Sequence, residues 1–600
     1  MDSYRENIFE PLEYYRDRAK HEHNENAIAY FNSLVEKSKI NEEENRETAK
    51  KYREKLGIVN ALTKSLGKLK TIRTVTIVIL ILATLFSLIP CLCDSVALAL
   101  KIIIPLSVFV IGLFLTVMIF KKTKTKISAL EDSIKKENAQ AQAFLQAAEN
   151  QMAPLNRLFS DVDSFNIIEK TMPQISFDKQ FLSENLADLK NNYNFNGVAG
   201  DKSSVIDTVS GKLYKNPFLF ERFKTEEIVQ HTYTGTLTIF WTTYTTDSKG
   251  NRVARRHSQT LVAHVVKPKP IYRITTLLNY GSQAAPDLSF SRENEHFENL
   301  SEKALERAVK KGKRKLKKKA EKALSTSGGF TEMSNETFDV LFNASNRDNE
   351  QQYRVLFTPL AQKEMIDLIR SDVGYGDDFD FFKRKKLNTI RSEHSQNAPL
   401  SPTASRYYSY DVDDSRQKFI SFNNEYFKSV YFDFAPLISI PAYQDPPATS
   451  FEEISHPDIS YTAYNYETIA NKMGARAFAH ERTTTEAILK TELIKRSEDF
   501  DTVAVTASSY VAEPRTSFIP KLGGDGRMHP VPVHWKEYIP LQKTSLMSVK
   551  NVGISETEFT QRSNEKAHSI PTNATCYKGI FAHTDANKNE IIKFLDNILN

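Results

Sequence analysis

Cysteine is almost missing from this chain: three in 600 residues exclude a disulfide framework and leave no Cys-x-x-Cys pair for structural zinc or dithiol exchange. Cys576 stands alone, and Cys91 and Cys93 close an apolar run as small apolar residues, a usage that fits a reducing compartment. Signatures of several enzyme classes are missing too. No Gly-x-Ser-x-Gly marks a nucleophile elbow and no Walker sequence marks a phosphate loop. His480-Glu481 lacks the second histidine of a zinc-protease helix, because residue 484 is threonine. There is no internal repeat, and nothing implies a cofactor or a metal ion.

What is present begins with two apolar runs. Thr74 to Cys93 and Ile102 to Phe120 carry no charge, and each approaches the ~20 residues that a helix needs to cross ~30 Å of hydrocarbon. A short connector, Asp94 to Lys101, joins them, so the expectation is a two-helix transmembrane hairpin. Lys64, Lys68, Lys70 and Arg73 precede the first run, and Lys121, Lys122, Lys124 and Lys126 follow the second. By the positive-inside rule both flanks, and both termini, are expected in the cytoplasm of a multi-pass cell-membrane protein.

Around the hairpin, residues 1–73 read as a helical segment, with Ile28, Phe31, Leu34 and Val35, then Tyr52, Leu56, Val59 and Leu62, at three- and four-residue steps. Residues 121–160 resume the pattern with Ile127, Leu130, Ile134, Ala141, Phe144 and Ala148 at heptad spacing. The expected arrangement is an antiparallel helical stalk or a coiled coil with another copy. Beyond it the character turns to mixed strand and helix: an α+β domain over 161–435, a proline-rich loop from Pro436 to Thr449, and an α+β region over 450–600. Period-two alternation predicts a hairpin from Thr232–Thr246 and Val253–Val266, with a third strand at Ile271–Tyr280. Strands are also expected at Thr337–Ala344, Tyr353–Phe357, Lys418–Phe422, Ser429–Phe434 and Thr502–Tyr510. Helices are expected at Phe177–Tyr193, from Thr358-Pro359, at Thr484–Lys495 and at Ala586–Leu599.

Charge is concentrated in one place. Between Glu302 and Lys322 eleven Lys or Arg face three Glu, a local +8 against +6 for the whole chain, so the remainder is near neutral (+6 minus +8 is −2). Leu305, Val309, Leu316, Ala320 and Leu324 fall at helical spacing within it. The basic helix 301–324, with Lys310, Lys311, Lys313, Arg314, Lys315, Lys317, Lys318 and Lys319, is therefore the leading candidate for contact with anionic lipid headgroups or a protein partner. Aromatic residues are absent from the segment, which argues against nucleic acid as its partner. Gly312 in mid-helix supports the plainer reading of a solvated basic linker.

A second constellation lies at Gly523-Gly-Asp-Gly526 with Arg527, His529 and His534. Glycines let backbone N–H groups approach a phosphate, Asp525 could serve as a base, and two imidazoles could bind metal. No strand runs through this loop into a helix, however, and Pro530 and Pro532 keep the sequel extended, as in a polar β-turn. Asp411, Asp413 and Asp414 after Arg406-Tyr-Tyr-Ser-Tyr410 lack the glycine and distal glutamate of a calcium loop.

The block Thr337-Phe-Asp-Val-Leu-Phe-Asn343, Asn346-Arg-Asp-Asn-Glu350 and Tyr353-Arg-Val-Leu-Phe-Thr-Pro-Leu360 resembles an uncharacterised bacterial membrane-protein family, the domain of unknown function numbered 3137. Tyr577-Lys-Gly-Ile-Phe581 and His529-Pro-Val-Pro-Val-His-Trp535 resemble a longer variant found in mycoplasmas and related bacteria. Two tryptophans among abundant Lys and Asn suit such an AT-rich genome. The resemblance implies a paired-helix membrane segment ahead of a cytosolic α+β domain, and it brings no catalytic residues. The function expected is a membrane-anchored scaffold or adaptor using the basic helix. The alternative is a membrane-tethered hydrolase or phosphate-handling enzyme using residues 523–534.

Overall fold

A computed structural model describes residues 7–86, 98–197, 200–246, 248–326, 329–447, 460–566, 570–571, 573–584 and 588–599. The chain divides into two units, each assembled from separated stretches: residues 1–30, 160–404 and 421–600 form the first, and residues 31–159 and 405–420 the second.

The first unit holds two antiparallel sheets. The larger contains β1 (Ile175–Phe177), β2 (Ser203–Leu213), β3 (Asn216–Thr246), β4 (Arg252–Gly281), β5 (Ser289–Arg292), β6 (Phe379–Arg384) and β7 (Leu387–Ser392), in the order β1-β2-β3-β4-β7-β6-β5. The smaller contains β8 (Ile488–Lys495), β9 (Asp501–Leu522), β10 (Met528–Asn551), β11 (Ala574–Tyr577) and β12 (Ile580–His583), in the order β11-β12-β10-β9-β8. Side chains alternate across the larger sheet. Phe218, Phe220, Leu278, Tyr280 and Ile390 enter the main core with the helices Pro359–Arg370 and Val412–Ile438, while Leu219 and Leu387 belong to a smaller cluster on the opposite face with Leu189 and Tyr193. That opposite face is only partly covered.

The expected hairpin is the outer half of a much longer one. β3 and β4 stay paired from Phe218↔Tyr280 to Thr246↔Arg252, so the third strand at Ile271–Tyr280 is the inner half of β4. β9 and β10 form a second long ribbon, from Val549↔Asp501 to Met528↔Leu522. The two ribbons pack face to face through Ile239, Leu261 and Ala263 against Val531 and Val533, making a two-layered arm. Gly235 permits the approach, since a Cβ there would lie 2.0 Å from the Pro532 carbonyl oxygen.

Several expected elements take the other form. Thr337–Ala344 and Tyr353–Phe357 lie in the helices Glu336–Phe342 and Glu350–Leu356, capped by Asn335 and Asn349, which accept from the Phe338 and Gln352 amides. Lys418–Phe422 and Ser429–Phe434 are both inside the helix Val412–Ile438, and Thr484–Lys495 yields β8. Short apolar runs fit either period, and tertiary burial decides between them. The helix from Pro359 does start on a Thr358 cap, with the hydroxyl accepting from the Ala361 amide at 3.3 Å.

In the second unit the helices Glu42–Phe86 and Leu98–Asn156 run antiparallel, tied by Lys55–Glu137 at 2.7 Å and Lys70–Glu131 at 2.8 Å. Phe31, Phe159, Tyr407 and Phe419 form an aromatic cluster at their base. Asp411, Asp413 and Asp414 pair with Arg53, Arg46 and Lys418, which leaves them committed within the fold.

The transmembrane hairpin is corrected. Among the described residues no helix is long and apolar enough to cross a membrane. The first helix is described from Glu42 to Phe86, and its apolar portion from Thr74 to Phe86 is about 20 Å at ~1.5 Å per residue. In the second run the described side chains are Ser107 and most of those from Val110 to Phe120. Two integral spans over 74–93 and 102–120, the multi-pass membrane localisation and the orientation of the termini all rested on that hairpin and fall with it. The connector residues Asp94 to Ala97 and the pair Cys91 and Cys93 lie outside the described residues, as do Gly328 and the end of the proline-rich loop.

Candidate functional site

The basic segment folds as a helix, Glu302–Ser325, whose apolar stripe is already occupied except at Leu324, which is exposed. Val309, Leu316, Ala320 and Ala323 pack with Phe330 and Val340. A Cβ at Gly312 would stand 2.4 Å from Val340 Cγ1, so the mid-helix glycine is there for close approach between two helices. The seat beneath it is built on a buried ion group. Arg347 is buried with Asp339 at 2.6 Å and Glu350 at 2.8 Å, and its guanidinium rests 4.5 Å from the Phe330 ring centre and 4.3 Å from that of Tyr353.

With the stripe docked, the charged face is left to solvent. Lys313 is tied to Glu336 at 2.7 Å, and Lys319 donates to the Ser345 carbonyl and sits 4.9 Å over the Phe330 ring. Lys310, Lys311, Arg314, Lys315, Lys317 and Lys318 are exposed and have no acidic partner among the described residues. Like charges at i,i+4, such as Lys310 with Arg314 and Arg314 with Lys318, repel by roughly 0.2–0.5 kcal/mol per pair. Packing on Val340 holds this helix despite its surface. The outcome is a cationic row along about 12 Å of helix, from Lys310 to Lys318, at ~1.5 Å per residue.

The loop at 523–526 is the turn of the β9–β10 ribbon. Gly526 adopts φ +76°, and the Gly523 amide donates to the Arg527 carbonyl at 2.8 Å. The Gly524 amide, which a phosphate would need, donates to Gln259 Oε1 at 2.6 Å. Asp525 accepts from the Arg527 amide and bonds His529 at 3.0 Å, and the His529 imidazole holds that carboxyl below its usual range. His534 bonds Thr516 at 2.9 Å, and Arg527 is exposed. A Cβ at Gly524 would meet the Trp241 ring at 2.8 Å, so these glycines fit one ribbon against the other. The polar groups named at this turn, Arg527 apart, are thus engaged within the arm.

Sequence reading did not anticipate the group around His394. Its Nδ1 lies 2.6 Å from Asp378 and its Nε2 3.7 Å from Asp433, with the Tyr375 ring stacked at 3.8 Å. Burial opposes the imidazolium, but Asp433 and Asp378 outweigh it and raise its pKa; burial pushes Asp433 up to about 6. Residues this far apart in sequence carry no local signature of such a group. The neighbouring void of about 20 Å³ takes no more than a water, so the ion group ties the end of β7 to the helix Val412–Ile438. Among the described residues, no cluster of His, Cys, Asp and Glu suits a metal ion. No family model, curated protein or solved structure matches the chain, so the likeness to the family numbered 3137 lends the site no further argument.

Proposed function

We propose that this protein is a non-enzymatic adaptor that docks an acidic segment of a partner protein through the exposed row Lys310, Lys311, Arg314, Lys315, Lys317 and Lys318. The observation that carries the reading is the docked apolar stripe: a helix whose apolar side, Leu324 at its end apart, packs on Val340 and Phe330 offers mainly charge outward. It lacks the free apolar face with which amphipathic helices enter lipid. It also lacks rings on which bases stack. The enzyme alternative draws no support from residues 523–534, where Asp525, His529 and the Gly524 amide are engaged.

The test is binding of the full chain to a fluorescent oligoglutamate peptide of about twenty residues. Saturable binding is expected that weakens as salt rises, because exposed charges are screened over ~8 Å at 0.15 M ionic strength. Replacing the six named residues by Gln should weaken it at least about tenfold, some 1.4 kcal/mol. Equal binding by the variant would overturn the reading. Preferential binding of an oligonucleotide of the same length, or of phosphatidylserine vesicles, would transfer the row to that partner.

A further inference from the structure

The partly covered face of the larger sheet carries a cleft of about 430 Å³, within the range of small-molecule sites. Four neighbouring strands, β3, β4, β7 and β6, present Glu221, Asn279, Thr389 and Arg384 to it, with Arg391 at its side. Phe223, Leu277 and Phe382 supply apolar wall, and residues 194–197 close one flank. Two features set it apart from an ordinary surface groove. Glu221 is fully buried in the floor; its Oε1 accepts from Asn279 Nδ2 at 2.7 Å, and its Oε2 has no partner. Arg384 is exposed and has no side-chain hydrogen bond or ion pair among the described residues, whereas Arg391 is neutralised by Asp380.

We propose that this cleft binds a small organic anion, a carboxylate or phosphate head on an apolar body, with Arg384 taking the charge and the Glu221–Asn279 pair forming an uncharged polar floor. Arg384 is the one cationic group of the cleft left without a counter-charge among the described residues, since Arg391 has Asp380. A guanidinium presents paired N–H donors that match such a head. Burial pushes Glu221 up to about 8, so at neutral pH the floor is a carboxylic acid that does not repel an anion. The rings and aliphatic side chains of the wall account for the apolar body. The site is independent of the basic helix, and the adaptor reading can fail without affecting it.

The probes are phenyl phosphate and benzoate, with benzamidine as a cation on the same ring, each titrated calorimetrically into the full chain. Both anions should saturate one site, and Arg384→Ala should weaken them at least about tenfold. Benzoate stays ionised between pH 6 and pH 9, and the other charged groups facing the cleft are Arg384, Arg391 and Asp380. Its affinity should fall across that interval as Glu221 ionises, and Glu221→Gln should abolish the fall. The proposal is overturned by benzamidine binding as tightly as the anions. It is equally overturned by Arg384→Ala binding unchanged, or by no saturation of any probe below about 10 mM.

Discussion

Gly312 and Glu221 show how far one side chain can steer a region. At Gly312, alanine would gain about 1 kcal/mol of helix propensity but would drive a methyl into Val340, an overpacking cost of typically 1–3 kcal/mol. Gly312→Ala should therefore lower stability by about 1 kcal/mol, and Gly312→Ala with Val340→Ala should recover part of that loss. Urea unfolding of the two variants measures it; a stabilised single variant would mean that the helices stand further apart. Glu221 governs a pH dependence. With its folded pKa raised to about 8, its contribution to stability is complete below the unfolded value, near 4.5, and is lost as pH rises toward and through 8. Lys383, pushed down to about 7 by burial, acts oppositely, since the unfolded state binds its proton more readily and stability rises with pH above 7. The difference between Glu221→Gln and the parent isolates the first effect. The variant should gain on the parent from pH 5 to about pH 8 and level off above it, by several kcal/mol at most, because each tenfold difference in proton affinity between the folded and unfolded chain is worth ~1.4 kcal/mol. A constant difference would mean that Glu221 is already ionised in the fold.

Among elements, the arm is the clearest case of one ribbon depending on another. Gly235→Val would set a side chain against backbone of the second ribbon, where no rotamer gives relief. Hydrogen exchange should quicken in residues 231–246 and 516–534 while Leu219 and Phe220, deep in the sheet, keep their protection. Uniform loss of protection would mean that the arm and the sheet unfold together. The strands of this arm were legible in the sequence because threonine and β-branched residues alternate with Leu237, Ile239 and Trp241 over a long run. Their length was not legible, since Pro268 and Pro270 interrupt the pattern midway, yet both lie within β4. The helix misreadings have a related cause. Phe338 with Phe342 and Tyr353 with Phe357 are four apart, with ring centres at 5.3 and 4.7 Å, but in windows this short period two and period 3.6 look alike. Of the candidate sites, the basic row was readable from charge alone. The cleft was not, because Glu221, Asn279, Arg384 and Thr389 come together only through strand order.

For the molecule as a whole, the N-terminal stretch is core material. Ile8, Tyr15, Ala19 and His23 are buried in the first unit. The backbone of Ile8 is read by Gln444, whose side chain accepts from its amide at 2.9 Å and donates to its carbonyl at 2.6 Å. Tyr431 donates to the Pro11 carbonyl at 2.6 Å. Deleting residues 1–30 would strand these partners at roughly 1–3 kcal/mol each and open an apolar seat between Phe427, Tyr431 and Phe432. The truncated chain should bind a dye specific for exposed apolar surface and melt without cooperativity, whereas the same deletion at an appendage would leave the calorimetric transition intact.

The pairing of Ile8 with Gln444 also sets a clock. These groups are 436 residues apart, and at ~5–20 residues per second of synthesis the first meets the second only after about 20 to 90 s. Through most of that interval Tyr15 lacks the rings of Phe427, Tyr431 and Phe432 that pack against it. Production of this protein should accordingly be sensitive to translation speed: slowing the ribosome lengthens the exposure, and whatever shields nascent apolar helices in the cell becomes a participant in making the fold.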